Sequence, residues 1–157
     1  MFVCSGNTCR SPMAEGFMNH FLEGAEASGT WRALSSGIMT VDGLPANEMA
    51  IRVMAEHGID ISRHRSSLAG SWEPPAGTLF FGMAREHVSA LRTIFPSRKD
   101  YIRLLGDAAR PFYDGPVVEV PDPFGSRIEN YREISGLLKE MILALMRHLD
   151  SPSSSLS

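Results

Sequence analysis

One stretch near the start of the chain constrains its fold more than any other: Val3-Cys4-Ser5-Gly6-Asn7-Thr8-Cys9-Arg10-Ser11-Pro12. Small and polar residues separate Cys4 from Arg10, a short apolar run precedes them, and a pattern of helical periodicity follows. This order is typical of a tight loop that leads from the end of a strand into a helix. We predict that Ser11 caps this helix and that Pro12 occupies its first position.

The predicted loop has the properties of an anion-binding site. Backbone N–H groups of residues 5–10 would converge at the helix N-terminus, whose partial positive charge favours a dianion such as phosphate. The Arg10 guanidinium adds donors that match phosphate oxygens, and the same positive field favours the nucleophilic thiolate form of Cys4. An isolated cysteine is usually a buried apolar residue. Core packing, however, does not require a cysteine followed by Gly-Asn, then by Arg-Ser-Pro, and then by an amphipathic helix. The stretch therefore predicts a cysteine nucleophile facing a phosphoryl group.

The stretch resembles the Cys-x5-Arg-Ser signature of the low-molecular-weight protein tyrosine phosphatase family, which extends here from Cys4 to Ser11. Further segments at 35–37, 58–66 and 121–125 follow in that family's order and at about its intervals. At 157 residues the chain has the size of one domain. We predict a phosphatase domain over residues 1–149 and a disordered, serine-rich tail over 150–157. Because the family has several more apolar residues before the nucleophile, we expect the native protein to begin upstream of Met1.

The hydrophobic pattern predicts helices that alternate with strands. Helical spacing occurs over 12–24, 47–57, 85–95 and 128–149, and the predicted strands are residues 1–3, 31–37, 78–83 and 101–105. This alternation indicates an α/β fold: a three-layer α/β/α sandwich with a four-stranded parallel sheet, flavodoxin-like. In such folds ligands bind at the carboxyl ends of the strands, where Cys4 would lie.

Residues 106–127 show no clear periodicity, and a long irregular segment in a compact domain is usually either functional or disordered. Asp122 lies in this segment between two prolines, which restrict its backbone and would hold its carboxyl group on a stiff arm. Residue statistics alone favour an ordinary turn at an Asp-Pro pair. The resemblance implies instead that Asp122 is the general acid. Asp107 and Asp114 lie in the same segment without the paired prolines and are weaker candidates.

The resemblance implies a two-step hydrolysis of phosphorylated protein side chains. The Cys4 thiolate attacks phosphorus while Asp122 protonates the leaving atom, and water then hydrolyses the phosphocysteine intermediate. Arg10 and the loop amides would hold the phosphoryl oxygens. We expect Asn7 to brace the loop and Ser11 to donate to the Cys4 sulfur. The predicted substrate-binding or phosphate-binding residues are Ser5, Gly6, Asn7, Thr8, Cys9, Ser11 and Phe124.

Several neighbouring features have two interpretations or rest on the resemblance. Cys9 is either a structural residue or, by resemblance, a partner that forms a reversible disulfide with oxidised Cys4. The basic cluster 63–65 is either a solvated loop or, as the resemblance implies, part of a segment that fixes the phosphate loop through Ser66 or an adjacent arginine. The resemblance also places the small residues 35–37 beside that loop, which their size would permit.

Two positions bear on the choice of substrate. Thr8 stands where tyrosine phosphatases of the family commonly carry a larger aliphatic residue, and Phe124-Gly125 stands where they commonly have two tyrosines. Both features are similar to the bacterial protein arginine phosphatases of the family. The Thr8 hydroxyl could orient a water or a guanidinium group, whereas an aliphatic side chain there would pack on an apolar ring. Phe124 could stack on either a phenol or a guanidinium plane, so it does not separate the two substrates. We favour phosphoarginine as the substrate, with phosphotyrosine as the alternative.

Composition argues against several other classes. A net charge of -3 gives no basic surface for nucleic acid or an anionic membrane. Two cysteines without a signal-like segment fit a reducing cytoplasm. Thioredoxin-coupled arsenate reductases share this loop but need further cysteines, and this chain has none after Cys9. The five histidines have no metal-binding spacing. We expect a monomeric cytoplasmic enzyme without metal or cofactor, and rank a non-catalytic phosphate-binding module below it.

Overall fold

The computed structural model describes residues 1–24 and 31–150. In this part of the chain four parallel strands form one sheet in the order β2-β1-β3-β4: β1 (Phe2–Cys4), β2 (Ser35–Gly37), β3 (Phe80–Gly82) and β4 (Ile102–Leu104). The helices described are α1 (Arg10–Glu23), α2 (Glu48–Glu56), α3 (Arg85–Ile94), α4 (Leu105–Ala109) and α5 (Ile128–Asp150), with 3-10 turns at Pro96–Tyr101 and Arg110–Phe112. The strand order is that of a flavodoxin-like sheet, and the predicted α/β fold is confirmed.

Helices cover both faces of the sheet, which explains why its strands are continuous apolar or small-residue runs. Phe2 and Phe81 point into the larger core, to which α1 and α5 contribute. Val3 and Phe80 point the other way, into a smaller core that includes Leu91 of α3. The central strand β1 is therefore buried on both sides, and Cys4 leaves the sheet at its carboxyl end between β2 and β3.

The start of α1 differs from the expectation. The helix begins at Arg10, and Cys9 is the N-cap residue without a side-chain capping bond, so Ser11 and Pro12 lie inside the first turn. The prediction that Ser11 caps the helix is wrong. Its hydroxyl instead lies 2.9 Å from the sulfur of Cys4.

Two other segments also differ from the sequence expectations. Residues 31–34 have no regular structure, so the strand predicted over 31–37 is confined to its small residues, Ser35–Gly37, which form β2 and pair with β1. Part of the segment 106–127 is helical, because it contains most of α4 and a 3-10 turn. In α4 four of the five residues are buried and Asp107 is exposed, so the helix is too short and too apolar to show an amphipathic period.

The carboxyl-terminal helix is longer than predicted by one residue, Asp150, which was assigned to the tail. The rest of the predicted tail, residues 151–157, lies outside the described residues. Within residues 1–24 and 31–150, every helix is too short or too polar to cross a membrane.

Candidate active site

The loop of residues 5–9 joins the carboxyl end of β1 to α1. Its shape depends on Asn7, whose φ of 53° lies in the left-handed region that non-glycine residues rarely adopt. The buried Asn7 side chain has a full set of partners: Nδ2 donates to the hydroxyls of Ser11 and Ser35, both at 2.9 Å, and Oδ1 accepts from the Ser67 N–H at 2.9 Å. These bonds hold the loop in its turn conformation, which is the bracing role expected of Asn7.

The nucleophile candidate, Cys4, lies at the floor of this loop and is 2% exposed. Its sulfur accepts from the Asn7 N–H at 3.3 Å and lies 2.9 Å from Ser11 Oγ. Since Ser11 Oγ already accepts from Asn7, its own hydrogen is free to be donated, and Cys4 Sγ is closer than the other acceptor, Ser36 O, at 3.4 Å. Two donors at one sulfur stabilise a thiolate.

Arg10 and Asp122 meet beside the loop, although 112 residues separate them in sequence. Arg10 is 4% exposed; its Nη1 donates to Val120 O at 3.2 Å, and its Nη2 lies 3.0 Å from Asp122 Oδ2. The Val120 N–H donates to Met83 O at 2.8 Å, which ties the segment before Asp122 to the end of β3. The Asp122 side chain is half exposed, so its carboxyl group can reach both Arg10 and solvent.

These groups surround one cavity of about 220 Å³. Its lining combines a polar floor with an apolar rim: Cys4, Ser5, Gly6, Thr8, Cys9, Arg10, Met39, Asp122 and Phe124. The rim residues Met39 and Phe124 are 75% and 71% exposed. Two of the predicted binding residues, Asn7 and Ser11, lie behind the loop and do not line the cavity. Met39 could not be predicted from sequence, because it lies in a surface loop without a distinguishing motif.

The segment after α2 contacts the loop, but through residues other than those predicted. His64 Nε2 donates to Asn7 O at 2.7 Å, and the Ser67 N–H donates to Asn7 Oδ1. Ser66 bonds instead to the backbone of residues 41 and 44, and Arg65 donates to carbonyl groups of its own segment. The interpretation of this segment as a support for the loop is therefore upheld, whereas the assignment to Ser66 or an arginine is wrong.

His87, at the start of α3, is a second residue that the sequence analysis missed. It is 0% exposed, and its Nε2 lies 3.0 Å from Ser5 Oγ. Burial, with a smaller contribution from the Arg10 guanidinium, lowers the pKa of His87 to about 4, so the ring is neutral at pH 7. A single histidine in an amphipathic helix gives no sequence signal for this position.

Cys9 is buried between the loop and α5. Its sulfur lies 3.5 Å from the Tyr131 hydroxyl and 3.8 Å from Thr8 Oγ1. Burial raises the pKa of the Cys9 thiol, so it is protonated at neutral pH. The contact with Tyr131 supports the structural role for Cys9, and the disulfide with oxidised Cys4 remains a prediction.

Gly37, at the end of β2, lets the neighbouring chain approach the loop. The N–H groups of Ile38 and Met39 donate to the carbonyl oxygens of Cys4 and Ser5, both at 3.0 Å. A Cβ added at Gly37 would lie 2.6 Å from Ser5 O, which is closer than real Cβ contacts. The small residue is therefore required by the close approach of two backbones.

We expect Gly37→Ala to lower the free energy of unfolding by about 1–3 kcal/mol, because the added methyl group displaces the loop. The kcat/KM for an aryl phosphate should fall with it, since Ser5 lines the cavity. Chemical denaturation and steady-state kinetics measure the two effects.

The matched control is Gly136→Ala in α5, where a Cβ would meet nothing within 4 Å. It should raise stability by about 0.5–1 kcal/mol without changing kcat/KM. Equal stability of Gly37→Ala and the unmodified protein would contradict this account.

Comparison with known proteins identifies the family of this chain. The family of low molecular weight phosphotyrosine protein phosphatases matches residues 1–154. A protein-arginine-phosphatase from Geobacillus stearothermophilus is 34% identical over 152 residues, which cover 96% of this chain and 95% of that protein.

Two solved structures extend the comparison to the fold. A low molecular weight protein tyrosine phosphatase from T. tengcongensis has a TM-score of 0.79 and 34% identity, covering 93% of this chain and 95% of its own. A mutant of the YwlE arginine phosphatase, with a phosphorylated active site serine, has a TM-score of 0.82 and 26% identity, covering 99% and 97%. The chain belongs to the low molecular weight phosphotyrosine protein phosphatase family, whose members are cysteine-dependent phosphatases.

Proposed function

We propose that this chain hydrolyses phosphorylated protein side chains through a phosphocysteine intermediate and that it prefers phosphoarginine. The observation that carries the proposal is the meeting of three groups at one cavity. Cys4 lies at its floor, the Arg10 guanidinium lies in its wall, and the Asp122 carboxyl group lies 3.0 Å from that guanidinium. A nucleophile, a fixed cation and an acid are the groups that transfer of a phosphoryl group to an enzyme requires.

In the first step the Cys4 thiolate forms a bond to phosphorus as the bond from phosphorus to the leaving atom breaks. The loop amides and Arg10 hold the phosphoryl oxygens, and Asp122 in its protonated form gives its proton to the departing oxygen or nitrogen. Asp122 lines the cavity and its side chain is half exposed, so its carboxyl group is accessible to an incoming substrate. The products of this step are the unmodified side chain and a phosphocysteine.

In the second step water attacks the phosphocysteine, and the Asp122 carboxylate accepts a proton from that water. The sulfur–phosphorus bond breaks and the electron pair returns to Cys4 Sγ. The donors from Ser11 and Asn7, at 2.9 Å and 3.3 Å, stabilise the thiolate that leaves. The YwlE mutant that carries a phosphorylated active site serine supports the covalent intermediate.

The preference for phosphoarginine rests on Thr8 and Phe124, which both line the cavity. The Thr8 hydroxyl presents a polar atom to the substrate where an aliphatic side chain would present a methyl group. Phe124 is 71% exposed, so its ring face is free to stack on a guanidinium plane. The arginine phosphatase from Geobacillus stearothermophilus, 34% identical over nearly the whole chain, supports this choice.

Phosphotyrosine is the second candidate, and the apolar rim favours it. Met39 and Phe124 present exposed apolar side chains on the same cavity, and these would pack on the ring of a phenol. The T. tengcongensis relative is a tyrosine phosphatase. The polar Thr8 at the floor side of the cavity distinguishes the two candidates, which makes it the position to change.

The decisive experiment compares kcat/KM on a phosphoarginine peptide and a phosphotyrosine peptide of the same sequence. We expect the unmodified protein to prefer phosphoarginine, and Thr8→Ile to lower that preference on the order of tenfold or more, because one polar contact is lost and an apolar one gained. Thr8→Ser keeps the hydroxyl and should keep the order of preference. If phosphotyrosine is preferred by the unmodified protein and both variants, the phosphoarginine assignment is overturned.

A further inference from the structure

His87 is buried beside the site, yet neither step above uses it. Its two ring nitrogens have different partners: Nδ1 accepts from the Ala84 N–H at 2.9 Å, and Nε2 lies 3.0 Å from Ser5 Oγ. Because a backbone N–H can only donate, Nδ1 carries no hydrogen, and in the neutral ring the hydrogen must be on Nε2. The ring therefore donates to Ser5 Oγ, which is nearer than the exposed carboxylate of Glu86 at 3.5 Å.

The Ser5 hydroxyl has a second neighbour that can only donate. Arg10 Nη2 lies 3.5 Å from Ser5 Oγ, and a guanidinium has no acceptor. A hydroxyl group has one hydrogen and two lone pairs. With both lone pairs facing donors, its hydrogen must point elsewhere, and Ser5 lines the cavity with Cys4 and Arg10. The hydrogen is thereby directed to the place where a phosphoryl oxygen would lie.

We propose that His87 is a positioning residue that, together with Arg10, fixes the Ser5 hydroxyl as a donor to a phosphoryl oxygen in the cavity. The inference rests on the proposed function, because it assigns His87 to the same phosphate site. Ser5 directly follows the nucleophile and lines the same cavity. A donor aimed in advance at an oxyanion stabilises it without reorganisation.

The substitution His87→Asn separates this role from a structural one. The Asn side-chain oxygen takes the place of Nδ1 and can accept from the Ala84 N–H, so the start of α3 keeps its bond. No atom of Asn replaces Nε2, so the contact with Ser5 is lost. We expect the Kd for inorganic phosphate, measured by calorimetry, to rise about tenfold and kcat/KM to fall by a similar factor. The melting temperature should fall by only a few degrees, because the start of α3 keeps its bond while the smaller side chain leaves a void.

A double-mutant cycle tests whether His87 acts through Ser5. Ser5→Ala should reproduce both losses, and the double variant should be no worse than either single variant. If the two losses multiply, His87 does not act through Ser5 and the proposal is overturned. The control is His57→Asn: His57 contacts Ser135 and the ring of Phe17 rather than the loop, so phosphate binding should be unchanged.

The two readouts separate failure of this inference from failure of the proposed function. Phosphate affinity within about twofold of the unmodified protein in His87→Asn, with the unmodified protein active, overturns the positioning role and leaves the phosphatase intact. A protein that binds phosphate through Ser5 and His87 but hydrolyses no phosphopeptide refutes the function alone. Should His87→Asn fail to fold, Ser5→Ala still decides, because an unchanged phosphate Kd in that variant contradicts the proposal.

Discussion

Replacing Cys4 with serine is expected to lower kcat by roughly 10⁴-fold or more. A hydroxyl in this position remains protonated at neutral pH and is a much poorer nucleophile than a thiolate. Phosphate should still bind, because its donors are the loop amides and Arg10 rather than the sulfur. Steady-state kinetics on a phosphopeptide gives the first quantity, and calorimetry with inorganic phosphate gives the second.

Cys9→Ser is the matched control, because it makes the same change in the same loop. The buried Cys9 thiol is protonated and contacts Tyr131, so it has no nucleophilic role in the mechanism. Rapid acid quench of this variant should still trap a phosphoenzyme, whereas Cys4→Ser should give no phosphocysteine. Turnover by Cys4→Ser above a trace, or phosphate trapped on Cys9, would show that the nucleophile has been assigned to the wrong residue.

Replacing Asp122 with asparagine is expected to reduce kcat by about 10²–10⁴-fold on a phosphopeptide, which is the usual contribution of a general acid. When the substrate is an aryl phosphate with an acidic phenol, the phenolate departs without being protonated, so the loss of kcat on that substrate should be much smaller. The difference between the two substrates is the signature of a proton donor. A residue that only supports the loop through Arg10 would lower both rates by the same factor.

Asp114→Asn tests the alternative within the same segment, since Asp114 is also exposed and was a weaker candidate from sequence. Asp114 is not among the residues that line the cavity, so its replacement should leave both rates near those of the unmodified protein. If Asp114→Asn shows the leaving-group dependence and Asp122→Asn does not, the acid is Asp114.

Local sequence was sufficient for the parts of the site that are contiguous. The residues from Cys4 to Ser11 define a strand end, a loop and a helix start, and periodicity located the strands and the longer helices of the described residues. The first turn of α1 was mispredicted because the usual capping preference of serine yields here to the sulfur of Cys4, at 2.9 Å. The short helix α4 was missed because four of its five residues are buried, which leaves it too short and too apolar to show the amphipathic pattern on which prediction depends.

The supports of the loop come from distant parts of the chain. His64 and Ser67 bond to Asn7 across 57 and 60 residues, and His87 contacts Ser5 across 82. No short-range pattern encodes these pairs, because each depends on the order of strands in the sheet and on which loops meet at its carboxyl edge.

The sequence by itself determined the chemistry at this site: a cysteine, an arginine and an anion-binding loop, which follow from residue types at fixed spacing in one continuous stretch. The tertiary structure decided which groups hold that chemistry in place, namely the His64 ring, the Ser67 amide and the His87 ring. It also brought Asp122 to within 3.0 Å of Arg10. The physical reason is that a loop with a left-handed residue at Asn7 costs conformational energy, and hydrogen bonds from packed neighbouring segments, which local sequence does not specify, contribute to offsetting that cost.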